Sequence, residues 1–147
     1  MQETFFTSKQ AADITGCTLR QLQYCREKGV VVPAISGTGT GRSVYYSRSD
    51  LAALVAIAYW LSVGLSFEWA REALKNLKER EPEFFTPSQR VRLMLYRHPT
   101  EQSFDLAEFD SSKAIALWAE GLRVVPVWLD VIHQRLEARL KGWGKCA

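Results

Sequence analysis

Residues 7–29 read TSKQAADITGCTLRQLQYCREKG, and their punctuation decides the fold. Thr7 precedes a short apolar pattern, and Gln10 follows it three residues later, the spacing of a capping box. Ala11, Ala12 and Ile14 are the apolar positions of this first helix, and Gly16 stops it. Thr18 and Gln21 then repeat the device, and Gly29 closes a second helix. Only Gly16 and Cys17 lie between, so the helices must turn sharply against each other. Ala12 permits close approach, and a glycine four residues on supplies the positive φ of the turn. The pattern predicts a helix-turn-helix.

Outward from it comes VVVPAISGTGTGRSVYYS, residues 30–47. Val30–Val32 and Ser43–Tyr46 are β-prone and flank a glycine-rich tip, which predicts a short hairpin. The tip suggests a phosphate site, and the spacing decides whose phosphate. A P-loop needs glycine at 36 and lysine at 42, where Ser36 and Arg42 stand; G-x-G-x-x-G from Gly37 needs glycine at 42. No parallel α/β pattern surrounds the stretch. A wing lying along a nucleic-acid backbone fits instead. Glycines bring backbone N–H groups close to phosphate, Arg42 forks onto it, and Tyr45 or Tyr46 donates an O–H. Thr40 and Ser43 join the candidate contacts. The two tyrosines alternate in direction, so one belongs to the core; Tyr46 is taken as the contacting one.

Ser47 and Asp50 form a third capping box, opening a helix that runs to about Val63 and ends at Gly64. One side of that helix is Ala52, Ala53, Ala56, Ala58 and Ser62, so it is apolar all round. The C-terminal half or a second subunit must cover it. Ser66 caps a fourth helix, and Pro82 closes the block. Beyond it the pattern changes. RVRLMLYR (90–97) and SFDLAEFD (103–110) read as strands joined by a turn at HPTEQ. AIALWAEG (114–121) and LRVVPVW (122–128) read as two more strands or as buried helix. A final helix carries Leu129, Ile132, Leu136 and Leu140 on one face.

Composition narrows the class. The chain has 147 residues, 47% apolar, with net charge +3, enough for a sizeable core and mildly basic. Leu51–Phe67 is uncharged for 17 residues, but Ser62, Gly64 and Ser66 argue against a membrane span. No signal peptide is visible. Cys17, Cys25 and Cys146 form no C-x-x-C pair, and with His98 and His133 they give no zinc spacing. Asp105, Glu108 and Asp110 have no histidine nearby in sequence and read as solvated strand edges, not a catalytic set. The expectation from composition is a non-enzymatic, soluble protein of a reducing cytoplasm, without cofactor or metal.

Residues 4–80 together resemble the N-terminal domain of MerR-type transcriptional regulators. GTGRSVYYSRSDL matches one version of that family's wing, and VGLSFEWAREAL resembles its link into the fourth helix. The resemblance implies a homodimer on an inverted repeat of double-stranded DNA, in a bacterial cytoplasm and associated with the nucleoid. The helix at 18–28 would enter the major groove, with Arg20 and Gln21 near base edges and Gln23 or Tyr24 near backbone. Thr18 and Arg26 complete the candidate contacts. The family usually has Thr-hydrophobic-Arg-Tyr-Tyr where this chain has QLQYC, so a phosphate clamp at Gln23 is missing and passes to Arg20 and Arg26; Val44 stands where a second wing arginine is common. Sensor cysteines near the dimerisation helix are absent. Small regulators of this build also accompany cyanobacterial CRISPR-associated transposons.

The expected fold is α+β: a winged helix-turn-helix at 1–80, then a small mixed α/β subdomain at 81–147 ending in a helix. Trp128, Leu129, Ile132, Leu136 and Leu140 are its candidate dimerisation residues, with Trp118 in its core or interface. The expected function is a sequence-specific transcriptional regulator, a repressor by preference. Two alternatives stand beside it: an excisionase-like DNA-bending protein of a mobile element, and a protein-interaction module with a degenerate helix-turn-helix. In the last, Arg20, Gln21, Gln23 and Arg26 are only the wet face of a surface helix.

Overall fold

A computed structural model describes residues 5–36, 44–81, 92–97 and 104–145. In chain order the elements are β1 (Phe6–Thr7), α1 (Ser8–Thr15), α2 (Leu19–Glu27), β2 (Ile35–Ser36), β3 (Val44–Tyr46), α3 (Arg48–Ser62), α4 (Phe67–Arg80), β4 (Arg92–Arg97), β5 (Phe104–Glu108), α5 (Ser111–Ala119), β6 (Val124–Trp128) and α6 (Leu129–Lys145). The fold is α+β, as expected. The chain packs as two units: residues up to 75 together with those from 132 onward, and residues 76–131. This differs from the expected division at 80/81, because most of the last helix groups with the N-terminal elements.

In the first unit all three anticipated capping boxes form, at Thr7/Gln10, Thr18/Gln21 and Ser47/Asp50. Gly16 ends α1 at φ 85°, and its N–H donates to Ala12 O at 3.0 Å. One expected strand is replaced. Val30–Val32 does not pair; the N–H of Gly29 donates to Arg26 O and that of Val30 to Cys25 O, a Schellman ending that consumes this segment. Ile35 and Ser36 take the strand role and pair antiparallel with β3, opposite Tyr45 and Val44. On the other side β1 pairs with β3, Phe6 opposite Tyr46 and Thr7 opposite Tyr45, so the sheet order is β1-β3-β2.

Helix α3 is the centre of this unit. Leu51 to Ile57 and Trp60 are all buried, as a helix apolar all round requires. Part of its cover is α6. Glu137 pairs with Arg48, the Arg135 guanidinium lies 5.1 Å from the Tyr59 ring centre, and Arg139 Nη1 donates to Ile14 O at 3.2 Å.

The second unit holds an antiparallel sheet of order β5-β4-β6. Leu93, Met94, Leu95 and Tyr96 of β4 are buried in succession, so both faces of the central strand are covered. On one face Met94 and Tyr96 pack with Ala114 and Leu117 of α5. The AIALWAEG segment is therefore helix. Asp110 caps it by accepting from Lys113 N at 3.2 Å, and its buried residues fall three apart. Arg92 pairs with Asp130 at 3.0 Å and lies over Trp128, whose ring meets Phe109 edge-on at 4.8 Å.

Candidate nucleic-acid interface

Helix α2 is two-sided. Leu22 and Cys25 are 1% exposed and face the core, whereas Leu19, Arg20, Gln23, Tyr24, Glu27 and Lys28 are exposed on and just past the helix. Positions 20, 23, 24, 27 and 28 recur every three to four residues, so they form one stripe. The sharp turn at Gly16 and the cap at Thr18 hold that stripe away from the core. The stripe carries two cations, a phenol and an amide. It also carries a carboxylate: Gln23 Nε2 donates to Glu27 Oε1 at 3.0 Å. Tyr24 meets Phe67 at the start of α4 edge-on, with ring centres 4.4 Å apart, and Lys28 Nζ lies 5.6 Å from the Tyr24 ring centre. Both contacts restrict the Tyr24 ring.

Other candidates are committed to structural work. The Thr18 hydroxyl accepts from Gln21 N, and Gln21 Oε1 accepts from Thr18 N at 2.8 Å. Gln21 is left with its side-chain amide N–H groups. Arg26 turns to the sheet, where Nη1 donates to the Tyr46 hydroxyl at 3.5 Å. Tyr46 is 0% exposed, which corrects its assignment as a contact residue. Pairing across β3 sets Tyr46 opposite the buried Phe6, so its ring belongs to the core, and Tyr45 is the partly exposed tyrosine. Burial pushes the Tyr46 phenol above its ordinary pKa, and the Arg26 bond pulls against that. Thr40, Arg42 and Ser43 lie outside the described residues.

Sequence reasoning missed one residue, Lys28, and one bond, that of Asp50 to Ala34. Lys28 follows Tyr24 by four positions, a spacing that marks it as a neighbour on the same face. Asp50 does more than cap: Oδ2 accepts from Ser47 N at 2.9 Å and from Ala34 N at 3.0 Å, tying the approach to β2 to the start of α3. That second bond bridges 16 residues and leaves no local signal.

The candidate dimerisation residues also need revision. Leu129, Ile132 and Leu136 are 3%, 4% and 1% exposed within a single chain, so they present no free apolar face. Leu140 is half-buried, and Trp128 is held by Phe109 and Arg92. Among the described residues no group of three or more His, Cys, Asp or Glu could hold a metal ion, and no helix is long and apolar enough to cross a membrane.

Residues 6–77 match the family model described as MerR HTH family regulatory protein. Proteins of Mycobacterium bovis and Mycobacterium tuberculosis, each named as an uncharacterized HTH-type transcriptional regulator, are 34% identical over 76 residues. The match covers 51% of this chain and 34% of each relative, so the chain spans about a third of their length.

Proposed function

We propose, from the premise that residues 6–77 are a MerR-family helix-turn-helix domain, that this protein is a DNA-binding transcriptional regulator of the bacterial cytoplasm. In this reading it acts as a homodimeric repressor on an inverted repeat. The observation that carries it is the exposed stripe of α2, with Arg20, Gln23, Tyr24 and Lys28 on the outer side of the second helix of the turn. A helix presented in this way suits the major groove. Arg20 suits the O6 and N7 acceptors of guanine, and Lys28 suits a phosphate as a point charge. The wing residues Thr40, Arg42 and Ser43 belong to the same reading as flanking backbone contacts. Arg26 supports the wing through Tyr46 and is not itself a contact. No catalytic step is assigned to the chain.

Fluorescence anisotropy on DNA from upstream of the protein's own gene, against a scrambled duplex and across a salt series, tests it. The expected result is tight, salt-sensitive binding to the native fragment alone. Arg20→Ala should weaken it by roughly 1–3 kcal/mol, and Lys28→Ala should flatten the salt slope by about one. Unchanged affinity in both variants would sink the contact assignment. Equal binding to both duplexes would favour the DNA-bending reading. Glu27, bonded to Gln23 on the same stripe, favours a second reading, a protein-interaction module; no DNA binding even at low salt would put it in front.

A further inference from the structure

Helix α5 buries only Ala114 and Leu117. Its outer face carries Ile115, 62% exposed, and Trp118, 61% exposed, beside the exposed Ser112, Ala116 and Ala119. An isolated exposed apolar residue needs no explanation, but a tryptophan and an isoleucine three positions apart, on a face without a charge, do. The charges nearest that face are Lys113 and Glu120, which stand seven residues apart and therefore on one flank of the helix.

This arrangement matches itself. When two copies of α5 lie antiparallel about a two-fold axis, each flank meets its own counterpart. The midpoint between 113 and 120 is also the midpoint between 115 and 118. One register therefore sets Lys113 against Glu120 of the other copy, twice, and Ile115 against Trp118, twice. Ala116 lies nearest the axis, where a small side chain lets two helices approach closely. In the single chain the Lys113 ammonium rests 4.9 Å from the Tyr96 ring centre and is exposed, so its arm can swing outward.

We propose that the outer face of α5 is the dimerisation surface of this protein, occupied by α5 of a second copy. It replaces the final helix in the homodimeric reading above and rests on that reading only for the two-fold stoichiometry. A contact of nine-residue helices is short, at the low end of specific interfaces. A concentration-dependent monomer–dimer equilibrium is expected.

Sedimentation equilibrium of the full chain without DNA tests this, so a failure of DNA binding does not touch the result. Wild type should show a reversible dimer. Trp118→Glu should raise its dissociation constant at least tenfold, with an unaltered circular dichroism spectrum. Glu120→Lys and Lys113→Glu should each weaken self-association several-fold. Mixing those two variants should restore a heterodimer to within about twofold of wild type, since both opposite-charge pairs return; only self-pairing in this register predicts that recovery. A wild-type chain monomeric at all concentrations, or one bound instead by another partner on this face, would overturn the proposal. So would a dimer insensitive to Trp118→Glu, or a mixture that fails to recover.

Discussion

Gly16 holds the two helices of the turn at φ 85°, in the left-handed region where a Cβ is strained. A second constraint acts at the same atom: Arg139 Nη1 lies 2.9 Å from where a Cβ would sit. Gly16→Ala should therefore cost about 1–2 kcal/mol, read as a fall of several degrees in Tm. In an Arg139→Ala background the crowding disappears but the backbone strain stays, so the penalty should shrink without vanishing. The first constraint was legible, since a glycine between two capped helices has few other uses. The second was not, because Arg139 reaches across from the far end of the chain.

The thiols are inert for a related reason. Cys17 and Cys25 are buried, and the Cys17 Sγ donates to Leu54 O at 3.5 Å. Burial raises both thiols, that of Cys25 to about 12 from 9.0. In a Cys146→Ser chain at pH 8, a thiol-reactive dye should label neither in the native state and both in guanidinium. The sign for stability follows from the raised folded value: the contribution is whole below pH 9, where the unfolded thiol is also protonated, and is lost as pH rises toward 12. Tm should fall above pH 9, and Cys25→Ala should flatten that fall.

At the scale of elements, what could be read ahead was what is local. Capping boxes close within four residues, so three helix starts were legible from spacing alone. The Tyr45/Tyr46 choice was not, because it depends on the register with β1, a two-residue strand without a period. Nor was the loss of Val30–Val32 as a strand: β-branched residues suit both a strand and the buried end of a Schellman motif. Asp50 and Gln21 occupy the same place in two capping boxes, yet Asp50 accepts two backbone N–H bonds and Gln21 one. Asp50→Ala should therefore cost about 2 kcal/mol and Gln21→Ala about 1 kcal/mol or less, compared by urea denaturation. Equal costs would mean that the bond to Ala34 adds nothing.

For the whole molecule, the composition of α3 already required a cover, and the final helix provides part of it. The boundary expected at residue 80 was drawn where Pro82 closes a block and the pattern changes, a local signal that says nothing of where the last helix packs. The apolar stripe of α6 fits any apolar surface, and nothing in it names the partner; the ion pair Arg48–Glu137 and the stacking of Arg135 on Tyr59 do. A chain ending at residue 80 loses both, together with the Arg139 bond to Ile14 O, and uncovers part of α3. Loss of the specific cover should leave the helices formed but the core loosened. The truncated chain should keep its far-ultraviolet dichroism, lose the near-ultraviolet signal of the buried Trp60, and bind an apolar dye. A peptide of residues 129–147 added in trans should reverse these changes, since it returns the missing contacts. A truncated chain that melts cooperatively at the temperature of the full chain would show that α6 contributes nothing to the N-terminal unit, and the boundary at residue 80 would then stand.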